Sequence, residues 1–184
     1  MVITSALHSE GKTITTLNLA IAMAQTVSKP KILLIDGDLR RGRIAKYLGV
    51  EHPLGLSELL NGKASLVDVL FHIDLENLTF LSSGNVPHNP SELLGSGNMK
   101  TLLNEVRERF DFVLIDSPPV IAVTDSGIMG AQTDGVVMVV QAGRTQRGIV
   151  AHAAELLEQA RANPVGHVLT NIEYHLPEYI YRYL

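Results

Sequence analysis

The sequence predicts a doubly wound α/β fold, a mainly parallel sheet with helices on both faces. Two observations carry that expectation. Short apolar runs, several of them ending in aspartate, alternate along the chain with segments whose apolar residues recur at helical spacing. The loop Ser5-Ala6-Leu7-His8-Ser9-Glu10-Gly11-Lys12-Thr13 joins the first such run to the first such segment, so a Gly-Lys-Thr turn stands at a strand-to-helix junction.

Taken in order, Val2, Ile3 and Thr4 have strand chemistry, and residues 14–27 place Leu17, Ile21 and Ala24 at helical spacing. Lys29 and Pro30 break the pattern. Residues 31–35 then read as a buried parallel strand ending in Asp36, Gly37 and Asp38. A short helix is expected over 39–48, with a basic edge of Arg40, Arg41, Arg43 and Lys46 that is either a solvated face or a dock for an acidic partner. Small helices are expected over 55–60 and 65–71, and a third strand over 78–81. Asn89, Pro90 and Glu92 have the spacing of a helix start with a capping box. A helix over 99–110, with Leu102, Leu103 and Val106 on one face, leads to a strand over 112–115 that ends in Asp116. A short helix over 124–132 capped by Thr124, a strand over 135–140, a long amphipathic helix over 145–161 and a strand over 165–170 ending at Asn171 complete the alternation.

The 184 residues, 46% hydrophobic and 18% charged, suffice for one well-buried core. Residues 1–172 are assigned to a single domain and 173–184 to a tail holding four of the five tyrosines, Tyr174, Tyr179, Tyr181 and Tyr183. A net charge of −4 gives no electrostatic support for binding nucleic acid. The absence of cysteine excludes disulfides, thiolate catalysis and Cys-ligated metals, and the seven histidines show no zinc-like spacing. The longest uncharged stretch, 13–28, is 16 residues long and seven of them are Thr, Asn, Gln or Ser, so no membrane span is expected. The chain enters its first strand at the second residue, and we expect a further segment upstream of it in a longer polypeptide.

At a helix N-terminus, successive backbone N–H groups and the helix dipole favour a polyphosphate. Residues Ser9, Glu10, Gly11, Lys12, Thr13 and Ile14 would form that cradle, with Lys12 reaching the β- and γ-phosphates of ATP and the Thr13 hydroxyl on Mg²⁺. The usual pattern G-x-x-x-x-G-K-[ST] has Gly where this chain has Ala6, and Gly is also common at the position of Ser9. Asp36, Asp38 and Asp116 each follow an apolar run, and a parallel sheet would bring all three near Lys12 and Thr13. Asp116 has the position of an acid that holds Mg²⁺ through water. Asp36 is expected to share the metal shell and Asp38 to accept the proton of an attacking hydroxyl, although those two could exchange roles. Asp125 and Asp134 are weaker candidates for the site, and a structural role is the favoured reading for both.

Together these residues resemble the bacterial tyrosine kinases (BY-kinases) of capsule and exopolysaccharide export, a P-loop NTPase family related to MinD and ParA. The resemblance covers nearly the whole chain. It lies in residues 5–13 as a variant Walker A, 32–40 as a D-x-D-x-R motif, 113–118 as Walker B, the stretches 89–94 and 124–125, and the tyrosine-rich tail. The kinases' S-x-x-P-G-E-G-K-[ST] is matched at Ser5, Glu10, Gly11, Lys12 and Thr13 and broken at His8 and Ser9. The related ATPases carry K-G-G-x-G-K-[ST], and their first lysine is replaced here by Leu7.

The resemblance implies an ATP- and Mg²⁺-dependent autokinase that phosphorylates Tyr174, Tyr179, Tyr181 and Tyr183 in a neighbouring copy within a ring-like oligomer. It also implies a cytoplasmic location at the inner membrane, through a transmembrane polysaccharide co-polymerase that acts as activator and is either separate or fused upstream. Asn171 resembles an adenine-reading residue, and Arg144 lies where a base-flanking residue would sit. A MinD-like ATPase switch and a catalytically weak nucleotide-binding regulator are the alternatives.

Overall fold

A computed structural model describes residues 1–51, 54–73, 75 and 77–173. Among these, seven strands form one sheet in the order β3-β4-β2-β5-β1-β6-β7, from β1 (Val2–Ser5), β2 (Ile32–Asp36), β3 (Leu70–His72), β4 (Leu78–Leu81), β5 (Phe112–Asp116), β6 (Val136–Gln141) and β7 (Pro164–Thr170). All neighbours pair in parallel except β3, which runs antiparallel to β4 at one edge. The predicted fold class is the observed one. β3 corrects the expectation of a helix over 65–71: the helix α4 (Leu66–Val69) stops after four residues, and Leu70, Phe71 and His72 pair with β4. Four helical residues exhaust the local pattern, and the exposed edge of β4 then captures the chain.

The central strands are apolar on both sides, and their residues alternate between two cores. Ile32 and Leu34 of β2 pack with Leu17, Ala20 and Ala24 of α1 (Lys12–Ala24), whereas Leu33 and Ile35 face the other layer. In that other layer lie α6 (Gly97–Arg109), α7 (Asp125–Gly130) and α8 (Arg147–Gln159), through Leu102, Val106, Met129, Ala153 and Leu157. Helix and strand periodicities thus meet on two faces of one sheet, which fixes the register of every strand.

Several helices run shorter than the sequence pattern, whereas α6 begins two residues before its expected start. The segment 39–48 turns first and becomes helical only at α2 (Ile44–Leu48), because Asp38 gathers the N–H groups of Arg40 and Arg41 into a turn. α3 (Leu56–Leu60) and α5 (Pro90–Leu94) are near their expected positions. Asn89 and Thr124 stand at the N-terminal boundaries of α5 and α7 without capping them: neither side chain bonds the helix backbone, and the Asn89 amide meets Glu92 instead. No helix among the described residues is long and apolar enough to cross a membrane. The four tail tyrosines lie outside the described residues.

Candidate active site

The loop between β1 and α1 is bent by two residues in the left-handed region, Ser9 (φ 65°) and Gly11 (φ 91°). Gly11 suits that conformation, and a Cβ there would come within 3.4 Å of the Thr170 side chain. Ser9 adopts the glycine-like angle despite its side chain. Ser9→Val, with a branched Cβ in the same region, is expected to lower stability by about 1 kcal/mol, whereas Ser9→Gly relieves the angle and is expected to raise it by up to about 1 kcal/mol, offset in part by the freer unfolded chain. Urea midpoints of the two variants read this.

Glu10 behaves differently from its neighbours. Its side chain is 2% exposed and turned away from the cleft. One carboxylate oxygen accepts the Leu7 N–H at 2.5 Å; the other accepts the Gln141 N–H at 3.3 Å and the Thr145 hydroxyl. The Thr170 hydroxyl donates to the Glu10 carbonyl at 2.7 Å. The side chain ties the loop to the end of β6 and the turn after it, and the backbone carbonyl ties it to the end of β7, which leaves the Glu10 N–H for the cradle. Leu7, the position of the alternative lysine, packs against the core.

α1 starts at Lys12 with no side-chain cap and no acidic residue in its first turn, so its positive dipole end meets the cleft unneutralised by a cap. The Lys12 ammonium lies 3.8 Å from Asp38 and 3.7 Å from Asp116 and donates to the Thr13 hydroxyl at 3.3 Å. Thr13 donates to Asp116 at 2.7 Å, and Thr16, one turn further along α1, donates to the other Asp116 oxygen at 3.4 Å. Thr16 is a site neighbour that the sequence motif does not mark; its signal is its place on the same helical face as Lys12 and Thr13.

The three aspartates come together because Asp36 and Asp116 are register partners at the ends of β2 and β5, and Asp38 follows two residues later. Their environments differ. Asp36 is 1% exposed and accepts backbone N–H groups on both oxygens, from Asp38 at 3.3 Å and Ile44 at 3.0 Å. Asp38 lines the open cleft: one oxygen accepts the N–H groups of Arg40 and Arg41, and the other faces Lys12. Burial raises the Asp116 carboxyl and the Lys12 charge opposes the rise. Among the described residues no group of three or more His, Asp and Glu side chains converges as a metal site.

Burial, and then the charge of Asp116, push the Asp36 carboxyl up to about 7. An unfolded aspartate ionises near ~3.9. Between about pH 4 and 7 the native chain therefore keeps a proton that the unfolded chain has released, and stability falls as pH rises through that window and levels above it. Asp36→Asn is expected to flatten this part of the profile, measured as urea midpoints against pH.

Arg144 and Asn171 line one depression with Gln141 and Ile172, at the ends of β6 and β7 next to the residues that hold Glu10. Arg40, expected on the basic edge, is committed elsewhere. It pairs in a bidentate manner with the fully buried Asp125, at 2.9 and 3.2 Å, and Ser91 bonds both partners at 3.0 and 2.6 Å. Asp134 is in a surface ion pair with Arg107.

A Lys-Thr helix start over strand-end carboxylates, on a parallel sheet, is the arrangement of a P-loop ATPase fold, and residues 8–163 match the AAA domain family. Tyrosine-protein kinase Ptk of Acinetobacter johnsonii is 43% identical over 164 residues, 89% of this chain and 22% of that protein. Tyrosine-protein kinase YwqD of Bacillus subtilis is 37% identical over 169 residues, 92% of this chain and 70% of its own length. The solved kinase domain of Escherichia coli tyrosine kinase ETK superposes with a TM-score of 0.87 at 34% identity, covering 96% of this chain and 70% of that domain. The chain belongs to the bacterial tyrosine kinase family. It spans about a fifth of Ptk and about two thirds of YwqD.

Proposed function

We propose that this chain is the catalytic domain of a protein tyrosine autokinase that transfers the γ-phosphoryl group of ATP to the tyrosines of its 173–184 tail in another copy. The observation that carries this reading is the position of Asp38. One oxygen is fixed by two backbone N–H groups, and the other is presented to the cleft beside Lys12.

The phosphate chain would rest on the backbone of residues 9–14 at the start of α1, with the Lys12 ammonium between the β- and γ-phosphates. The donor set at Thr13 and Asp116 is all oxygen, which suits Mg²⁺ completed by phosphate and water. When bound, that ion neutralises charge on the transferring group. Asp116 and Thr13 would hold it, with Asp36 behind them, where its raised affinity for a proton would be lost on binding a cation. Asp38 accepts the tyrosine hydroxyl proton as the oxygen attacks phosphorus in line and ADP leaves. Arg144 and Asn171 would flank the base in the depression they share.

The matched region is embedded in a far longer protein in Ptk and makes up most of YwqD, which supports an upstream partner that is fused in some relatives and separate in others. We assign that partner to a transmembrane activator of exopolysaccharide polymerisation and export, and the chain to the cytoplasmic face of the inner membrane. Added phosphates would place several negative charges on a short tail and loosen self-association by repulsion. A mixing experiment tests transfer between copies. Wild-type tail on a Lys12→Ala chain should gain phosphotyrosine only when an active chain with a Phe-substituted tail is added; an unlabelled Lys12→Ala tail in that mixture, under conditions in which the wild-type chain labels its own tail, would overturn transfer in trans.

A further inference from the structure

A nucleotide has a phosphate end and a base end, and one residue of this chain is bonded to the places proposed for both. Within the phosphate loop, the Glu10 carboxylate accepts the Leu7 N–H at 2.5 Å. Its other oxygen reaches out of the loop to the Gln141 N–H at 3.3 Å and the Thr145 hydroxyl. Gln141 and Thr145 are the two ends of a closed turn. The N–H groups of Arg144 and Thr145 return to the Gln141 carbonyl at 3.4 and 3.1 Å, and the Arg144 guanidinium donates to the Gln141 side-chain oxygen at 3.1 Å. Residues 141–144 of this turn make one wall of the depression beside the loop, and residues 171–173 make the other.

The second wall is tied to the same residue. The Thr170 hydroxyl donates to the Glu10 carbonyl at 2.7 Å, and the Thr170 carbonyl accepts the Ala142 N–H at 2.9 Å. One wall is thus held by the Glu10 side chain and the other by its backbone. Burying a carboxylate costs more than burying a neutral acceptor, so closing the loop on the Leu7 N–H alone would not call for one. Two acceptor oxygens on one planar group, facing different segments, join the loop to the turn in a single step.

We propose that Glu10 is a positioning residue that fixes the phosphate cradle relative to the base depression, so that the base adds to nucleotide affinity through the link from Glu10 to Thr145. A ligand anchored at both ends gains the full benefit of its second anchor only when the two sites are already held at the right separation. With the link cut, the turn must be ordered as the base arrives, and that cost is subtracted from the base contribution alone. The phosphate contribution is kept, because the bonds from Leu7 and Thr170 still shape the loop. The inference rests on the reading of the depression as the base site.

Thr145→Val tests it, since Thr145 lies outside the phosphate loop and lines neither the cleft nor the depression. Dissociation constants of ADP and of inorganic pyrophosphate, each with Mg²⁺, are measured on the full chain by isothermal titration calorimetry; pyrophosphate has the phosphate end without the base. The preference for ADP over pyrophosphate is expected to fall about tenfold in Thr145→Val, the scale of one hydrogen bond to a charged group, with pyrophosphate affinity kept within about twofold. Thr145→Ser retains the hydroxyl and should retain the preference. Glu10→Gln, which turns an amino group onto the N–H of either Leu7 or Gln141, should lower it. An unchanged preference in Thr145→Val would overturn the proposal, as would an equal loss of both ligands, the mark of a contact that only stabilises the loop. Arg144→Ala/Asn171→Ala separates the underlying reading: a preference that survives this pair of changes but falls in Thr145→Val upholds the link and takes the base out of this depression.

Discussion

Lys12→Ala is expected to lower Mg²⁺-ATP-dependent phosphotransfer by about two to three orders of magnitude, the cost of removing one preorganised charge aimed at a transferring group. The fold should survive, because among the described residues the ammonium makes one hydrogen bond, to its neighbour Thr13, and stands 3.7 and 3.8 Å from the two carboxylates. The substitution also strips Asp116 of the cation that opposes its burial, so its carboxyl should take up a proton more readily. Single-turnover transfer rates beside an unchanged circular dichroism spectrum check the result. Transfer within about tenfold of wild type would remove Lys12 from the site.

The second large effect is on stability. Arg40→Ala leaves the fully buried Asp125 with Ser91 as its remaining side-chain partner, and an unpaired buried charge of this kind costs about 3 kcal/mol. The pair joins the turn after β2 to the start of α7 and, through Ser91, to α5, so the loss should appear as a lower urea midpoint with an unchanged slope. Arg40→Ala/Asp125→Ala is expected to lose less than the two single variants combined, since each single change strands the other partner. A loss below about 1 kcal/mol for Arg40→Ala would contradict a stabilising role for this pair.

Much of the architecture is legible in the residues because the strands are apolar on both sides, and such runs, separated by helical segments, have few other ways to be buried. The convergence of Asp36, Asp38 and Asp116 follows from the same logic, since carboxyl ends of adjacent parallel strands share one edge. What the sequence hides is orientation. Glu10 sits inside the phosphate-loop motif, yet its side chain serves the end of β6 and the turn after it, because a buried carboxylate is drawn to the Leu7 and Gln141 N–H groups and the Thr145 hydroxyl, which lies far away in sequence. Arg40 belongs by spacing to a basic edge, but its partner Asp125 is 85 residues distant. β3 is invisible because three residues of strand owe their state to the edge of β4 and not to their own pattern.

The departures at His8 and Ser9 also take physical form. The loop reaches its left-handed bend at Ser9 without glycine, so the backbone angle is met at a cost in strain. His8 lines the cleft together with Asp38 and leaves the bend itself to its neighbour.

The central claim, phosphoryl transfer from ATP to tail tyrosines, is tested most directly by incubating the chain, together with the membrane activator segment proposed for it, with Mg²⁺-ATP and mapping residues 173–184 by mass spectrometry. The account predicts phosphate on tyrosine, abolished by EDTA and by Lys12→Ala. ATP turnover with all four tail tyrosines unmodified would contradict it.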